Sequence, residues 1–264
     1  MDVMKWFRLD GKRALVAGAS RGIGLAIAGA LARSGAETVL ASRNLAALEE
    51  AAAWLREEGC RAEALELDVA SRDSRLRAAE AAGEVDILVN VAGTNIRKPM
   101  TEYTPEEYAR IMETNLTGLF ELTQAAGRGM IARGRGKVVF IGSLTSVLGL
   151  PYAAVYGTTK AALLGLTRML AAEWGRHNIQ VNCIAPGFIL TDLNRAMWQA
   201  PEMREWLKGT QPMARLGAPE DIAPLAVFLS GSGADYITGQ VIAVDGGFST
   251  TSVWPFEPGP KGTA

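Results

Sequence analysis

The sequence predicts an α/β fold: one doubly wound parallel sheet of about seven strands with helices on both faces. Short apolar runs alternate with longer helical patterns along the whole chain, as they do in repeated βαβ units. The runs read as unbroken Val, Ile and Leu, which suits strands covered on both faces. No linker rich in Pro, Gly or Ser interrupts residues 10–250, so one domain over 1–264 is expected.

Ala14 to Ala17 is the first apolar run, and it ends at Gly18. Gly22 to Ser34 has helical patterning and stops at Gly35. Thr38 to Ala41 is the second strand-like run. Asn44 to Glu58 is rich in Ala, Leu and Glu and closes at Gly59; it is a helix, too short for the sustained heptads of a coiled coil. Ala62 to Leu67 alternates apolar residues with Glu and reads as the third strand, followed by Asp68. Arg72 to Ala82 predicts a helix and Val85 to Val91 a strand. Thr104-Pro105-Glu106-Glu107 opens a helix with a capping hydroxyl, a proline in first position and acids in the first turn, and the pattern carries it to about Arg133. Lys137 to Ile141 is a strand, Tyr152 to Trp174 a helix, and Gln180 to Ile184 a strand before Pro186-Gly187. Residues 191–209 are polar and aromatic without a clear strand. Pro219 to Leu229 is a helix and Val241 to Val244 the last strand, before Asp245-Gly246-Gly247. The tail 253–264, with three prolines and two glycines, reads as irregular.

Composition narrows the function. Lys and Arg number 27 against 28 Asp and Glu, so no basic face for nucleic acid is signalled. No run approaches the ~20 apolar residues of a membrane span, and the N-terminus carries Asp2, Lys5 and Arg8, unlike a signal peptide. Cys60 and Cys183 lack metal-ligand spacing and fit a reducing cytoplasm, the expected location. Cys183 falls in a predicted buried strand and reads as a small core residue. His177 is the single histidine, which excludes a multi-histidine metal site, and no metal is expected. It sits between a predicted helix and strand, and without a Gly-x-Ser-x-Gly elbow it reads as a helix-end residue rather than a triad base.

Chemistry concentrates in two stretches. In the first, Gly18-Ala-Ser20-Arg21-Gly22-Ile23-Gly24 joins the first strand to the first helix. Its glycines permit a tight turn and close approach of backbone to a pyrophosphate, and the helix N-terminus offers free N–H groups. The spacing, Gly-x3-Gly-x-Gly, differs from Gly-x-Gly-x2-Gly. The second strand ends in Ser42-Arg43, where an acid would meet the ribose hydroxyls of NAD. Two guanidiniums, Arg21 and Arg43, and the Ser42 hydroxyl suit a 2′-phosphate instead, which predicts NADP(H) over NAD(H). Asp68-Val69 would face the adenine. In the second stretch, Tyr156 and Lys160 are four apart in a predicted helix and so share a face. A neighbouring ammonium lowers a phenol's pKa and makes it a competent general acid or base.

Taken with Asn90-Val91-Ala92-Gly93, Asn115, Ser143 and Pro186-Gly187, these motifs resemble the short-chain dehydrogenase/reductase family over essentially the whole chain. The resemblance implies a Rossmann-type sheet and the following roles. Tyr156 would exchange the proton of the reacting oxygen, and Ser143 would donate a hydrogen bond to it. Lys160 would lower the Tyr156 pKa and bond the nicotinamide ribose. Asn115 would hold a helix irregularity and a water linking Lys160 to solvent. Asn90, Ala92 and Gly93 would line the cofactor cleft, and Pro186, Gly187, Ile189 and Thr191 would hold the nicotinamide amide. Val91 departs from the family, which has a second Asn there; a small packing change without loss of activity is expected.

Substrate choice should reside in 94–100, 144–153 and 188–215, with 190–215 as a lid over the cleft. Arg97 or Lys98 would hold a carboxylate, or either is a solvated loop charge. Asn95-Ile-Arg-Lys-Pro99, Gly142-Ser-Leu-Thr-Ser146 and Pro186 to Asn194 resemble the gluconate 5-dehydrogenase branch, which implies a sugar acid or polyol as substrate. A 3-oxoacyl-carrier-protein reductase is the alternative, and a non-catalytic NADP(H) sensor a remoter one. The resemblance also implies a homotetramer, with helices 104–133 and 152–174 across one interface and helix 219–229 with the last strand across another.

Overall fold

In the computed structural model, which describes residues 2–192 and 194–253, seven strands form one parallel sheet in the order β3-β2-β1-β4-β5-β6-β7. They are β1 (Arg13–Ala17), β2 (Glu37–Ser42), β3 (Ala62–Glu66), β4 (Ile87–Asn90), β5 (Gly136–Ile141), β6 (Ile179–Pro186) and β7 (Val241–Val244). The helices are α1 (Gly22–Arg33), α2 (Leu45–Glu57), α3 (Arg72–Ala82), α4 (Pro105–Met112), α5 (Gly118–Arg133), α6 (Ala154–Trp174), α7 (Arg195–Trp198), α8 (Pro201–Thr210) and α9 (Pro219–Ser230).

Alternation within each strand sends side chains to two cores. Ala14, Val16, Leu40, Val89 and Ile184 pack under α1, α2 and α9, where they meet Ile27, Leu48, Leu55 and Ile222. Leu15, Ala17, Val39, Phe140 and Val181 face α3, α5 and α6, where they meet Ala78, Leu122 and Leu163. Strand β3 lies at the sheet edge with only Ala62 buried, which is why its sequence alternates with Glu. The chain winds outward from β1 to β3, then returns to place β4 against the other side of β1. That reversal opens a crevice beyond the carboxyl ends of β1 and β4, the place where doubly wound sheets bind ligands.

Caps set the helix starts. Asn44 accepts from the Ala47 N–H at 3.2 Å at the head of α2, and Thr104 and Glu107 form a reciprocal capping box on α4. The helix expected over 104–133 is interrupted: Glu113–Thr117 form a π-turn between α4 and α5. The 152–174 helix starts two residues late, because Tyr152 has a left-handed φ of 63°. The segment 191–209 forms α7 and α8. They pack back through Phe188, whose ring meets Trp198 at 5.2 Å, Trp206 at 5.4 Å and Phe248 at 4.9 Å, centroid to centroid. These contacts join residues far apart in sequence, so local patterning does not reveal them. Of the tail 253–264, all but Val253 lies outside the described residues.

Candidate active site and cofactor cleft

The turn after β1 has the shape a pyrophosphate needs. Gly18 takes φ 102° and Gly22 φ 55°. A Cβ on Gly18 would lie 2.7 Å from the Ala92 nitrogen, and one on Gly24 only 2.0 Å from the Gly18 carbonyl oxygen. Side chains are therefore excluded there, and backbone is brought to the cleft edge. Among the described residues no side chain caps the start of α1, so its first N–H groups remain available to an anion. Ser20 is half-buried in the turn, and Ile23 packs inward on the core.

Other expected cofactor residues gather along the same edge. The Ala92 N–H donates to the Ala17 carbonyl at 2.8 Å, which closes the loop after β4 onto β1. Asn90 is fully buried and gives its amide N–H to Thr123 Oγ1 at 2.9 Å. Its Oδ1 has no partner among the described residues, which suits a cleft built to receive a polar ligand. Val91 packs against the core, consistent with an apolar residue at that position. Asp68 Oδ1 accepts from the Ala70 N–H at 3.0 Å, so its turn is shaped by its own side chain. Across the crevice, the Gly187 N–H donates to Val244 at 3.0 Å and the Ile189 N–H to Gly187 at 3.1 Å. Pro186 ends β6, and Thr191 Cγ2 lies 3.4 Å from where a Gly22 Cβ would stand, so the two walls nearly touch. Ser42 Oγ accepts from the Asn44 N–H at 3.2 Å. Arg21 and Arg43 are exposed, and neither pairs with a carboxylate among the described residues. The donor set fits a dinucleotide carrying an extra phosphate.

Ser143, Tyr156, Lys160 and Asn115 converge beside this cleft. Ser143 follows β5 and caps a short turn; its Oγ accepts from the Thr145 N–H at 3.1 Å. That contact occupies an acceptor lone pair and leaves the hydroxyl proton free to donate elsewhere. The Lys160 ammonium is 3% exposed, donates to the Ile141 carbonyl at 2.7 Å and stands 5.8 Å from the Tyr156 ring centroid. Burial pulls it down to about 8. The Tyr156 phenol departs from expectation: burial pushes its pKa up, and the Ser143 hydroxyl, then the Arg97 charge, pull it back. Desolvation thus outweighs both, and the expected lowering of the phenol by Lys160 is not seen.

Asn115 is fully buried within the π-turn. Its amide brackets Thr94, accepting from the N–H at 2.7 Å and donating to the carbonyl at 2.8 Å. It also donates to Thr159 Oγ1 at 3.2 Å, and Thr159 in turn donates to the Tyr156 carbonyl at 2.7 Å. A Cβ on Gly93 would lie 3.5 Å from both Asn115 Oδ1 and Lys160 Nζ, so these three close one wall.

Sequence reasoning missed Thr145, Thr159 and Ser146, whose Oγ bonds the Lys160 carbonyl at 3.0 Å. Hydroxyls are common, and only the fold shows which ones touch the machinery. The structure also separates Arg97 from Lys98. Lys98 pairs with Glu107 at 2.6 Å and lies over the Tyr103 ring. Arg97 meets only the weak acceptor Met197 Sδ at 3.2 Å, among the described residues, and its charge reaches Tyr156.

Comparison with known proteins shows the family and the fold. The family model described as enoyl-(acyl carrier protein) reductase matches residues 18–249. The chain is 41% identical over 249 residues to gluconate 5-dehydrogenase of Gluconobacter oxydans (strain 621H), spanning 93% of this chain and 97% of that protein. It is 41% identical over 258 residues to galactitol 2-dehydrogenase (L-tagatose-forming) of Cereibacter sphaeroides, spanning 96% and 100%. The crystal structure of a gluconate 5-dehydrogenase from Burkholderia cenocepacia J2315, in complex with NADP and tartrate, superposes with a TM-score of 0.90 at 39% identity, over 94% of this chain and 99% of that one. No helix among the described residues is long and apolar enough to cross a membrane. The chain belongs to the short-chain dehydrogenase/reductase family and is an oxidoreductase of alcohols and ketones.

Proposed function

We propose that the protein interconverts a ketone and a secondary alcohol of a sugar acid or polyol, using NADP(H) in preference to NAD(H). One observation carries the reading: Arg97, near enough to offset part of the effect of burial on the Tyr156 phenol beside Ser143, meets no carboxylate among the described residues, only Met197 Sδ at 3.2 Å. In reduction, Tyr156 Oη gives its proton to the carbonyl oxygen while the Ser143 hydroxyl, held by Thr145, donates to the same oxygen. Bound NADP(H) supplies the hydride. Lys160 keeps a positive charge behind the phenol and offers donors to the cofactor ribose, and Asn115 fixes the wall through Thr94 and Thr159. Arg97 pairs with the substrate carboxylate. The gluconate 5-dehydrogenase structure holding NADP and tartrate, a dicarboxylate, supports both halves of the reading by similarity.

Residues 190–215 act as the lid, with Phe188 as its aromatic anchor. The exposed apolar residues Tyr108, Phe120 and Met169 on α4, α5 and α6 support one of the two interfaces of a homotetramer, the other being formed by α9 and β7. Light scattering at micromolar concentration tests it, with a dimer or monomer refuting it.

The decisive experiment is a carbonyl panel with NADPH: 5-ketogluconate, L-tagatose and an acetoacetyl thioester. The highest kcat/KM is expected on 5-ketogluconate, with Tyr156→Phe lowering kcat by about 10²–10⁴-fold. Preference for the thioester would make the protein a 3-oxoacyl reductase, and an unchanged kcat in Tyr156→Phe would refute the chemistry.

A further inference from the structure

Arg75, on α3, lies outside every motif that carries the family resemblance, yet its side chain is only 4% exposed. Its guanidinium donates through Nη1 to the Val69 carbonyl at 2.6 Å and to Glu113 Oε1 at 2.8 Å. Nε and Nη2 donate to Glu121 Oε2 at 3.1 Å and 2.8 Å. One buried cation thus holds the first residue of the π-turn, a residue in α5 and the backbone next to Asp68.

The spacing of the two glutamates is informative. Glu113 and Glu121 are eight residues apart. On an uninterrupted α-helix that spacing sets them about 80° apart around the axis. The π-turn, closed by the Gly118 N–H on the Glu113 carbonyl, takes up one extra residue. With it, the offset shrinks to about 20°, and both carboxylates reach one guanidinium. The π-turn thus brings both carboxylates onto nearly the same line and favours their double pairing with Arg75. The same turn delivers Asn115 to Thr94 and Thr159. Packing supports the brace: a Cβ on Gly118 would stand 2.0 Å from the Val69 carbonyl oxygen, so the head of α5 is pressed against the loop that Arg75 grips.

We propose that Arg75 is a positioning residue that selects the π register of the α4–α5 helix and, through it, the inward placement of Asn115. The proposal rests on the reading of Asn115 as part of the catalytic wall. Arg75 touches neither substrate nor reacting atoms, and its effect passes through Asn115.

A double-mutant cycle tests this. Arg75→Met in the wild-type background should lower kcat for NADPH-dependent reduction of 5-ketogluconate by about 10–100-fold, the size of effect a displaced site residue produces. Arg75→Lys, which keeps the charge and loses the fork, should recover only part of the loss. In an Asn115→Ala background, Arg75→Met should change kcat less than about twofold. Losses that multiply in that background would show that Arg75 acts on general stability and would overturn the proposal, as would an unchanged kcat in the wild-type background. If Arg75→Met does not fold, Glu121→Gln, which keeps the Val69 contact, enters the same cycle with the same two outcomes. Hydrogen exchange reports on the register without turnover: peptides spanning 111–121 should exchange at least about tenfold faster in Arg75→Met, with β5 and β6 unchanged. Unchanged exchange overturns the brace. A wild type that reduces none of the panel carbonyls while 111–121 still loosens in the variant refutes the proposed function and leaves the brace standing.

Discussion

Replacing Lys160 by Met should kill turnover and strengthen the fold. The ammonium is buried and, among the described residues, has a single acceptor, the Ile141 carbonyl. Its drop from 10.5 to about 8 corresponds to about 3 kcal/mol at pH 7, at roughly 1.36 kcal/mol per pH unit. Methionine has similar volume and no charge to desolvate, but it orphans the Ile141 carbonyl, at a cost of about 1 kcal/mol. The variant should therefore be more stable by about 2 kcal/mol at pH 7. The pH dependence has a definite sign. The folded-state value lies below the unfolded one, so between about pH 8 and 10.5 the unfolded chain holds a proton that the folded chain has lost. Wild-type stability rises with pH across that window, and the advantage of Lys160→Met should shrink to about 0.5 kcal/mol by pH 9.5. Urea unfolding of both proteins at pH 7 and 9.5, at one protein concentration, measures the gap. A variant less stable than wild type at pH 7, or a gap that does not narrow, would refute the claim that Lys160 is held in the site against the cost of its burial.

Three further outcomes are expected. Arg43→Glu should weaken NADPH binding by at least about tenfold while changing NADH binding little, because it puts an acid where the 2′-phosphate would sit; equal losses for the two cofactors in fluorescence titrations would disprove the phosphate reading. In native protein at pH 8, a thiol reagent should label the partly exposed Cys60 and leave Cys183, which is buried and pushed up to about 11; two labels per chain without denaturant would contradict the buried strand. Thr104→Ala removes the reciprocal capping box on α4 and should lower stability by about 1 kcal/mol, read as a shifted urea midpoint.

Sequence alone determined the strands, the glycine turn and the identities of Ser143, Tyr156 and Lys160. The strands and the turn follow from short-range rules: a period, a cap, or a turn that excludes side chains. The Tyr156–Lys160 pair follows from a spacing of four along one helix face, whereas Ser143 is singled out by the family resemblance. Tertiary structure decided the rest. It left Arg97 rather than Lys98 without a carboxylate among the described residues, because Glu107 captures Lys98 from another element. It put the π-turn inside what periodicity reads as one continuous helix, because Arg75 and Val69 approach from α3 and the loop after β3. It also set the balance at Tyr156, where burial outweighs the Ser143 hydroxyl and the Arg97 charge. Spacing shows that two groups share a face; desolvation and long-range partners depend on what the fold packs around them, and no local pattern encodes that.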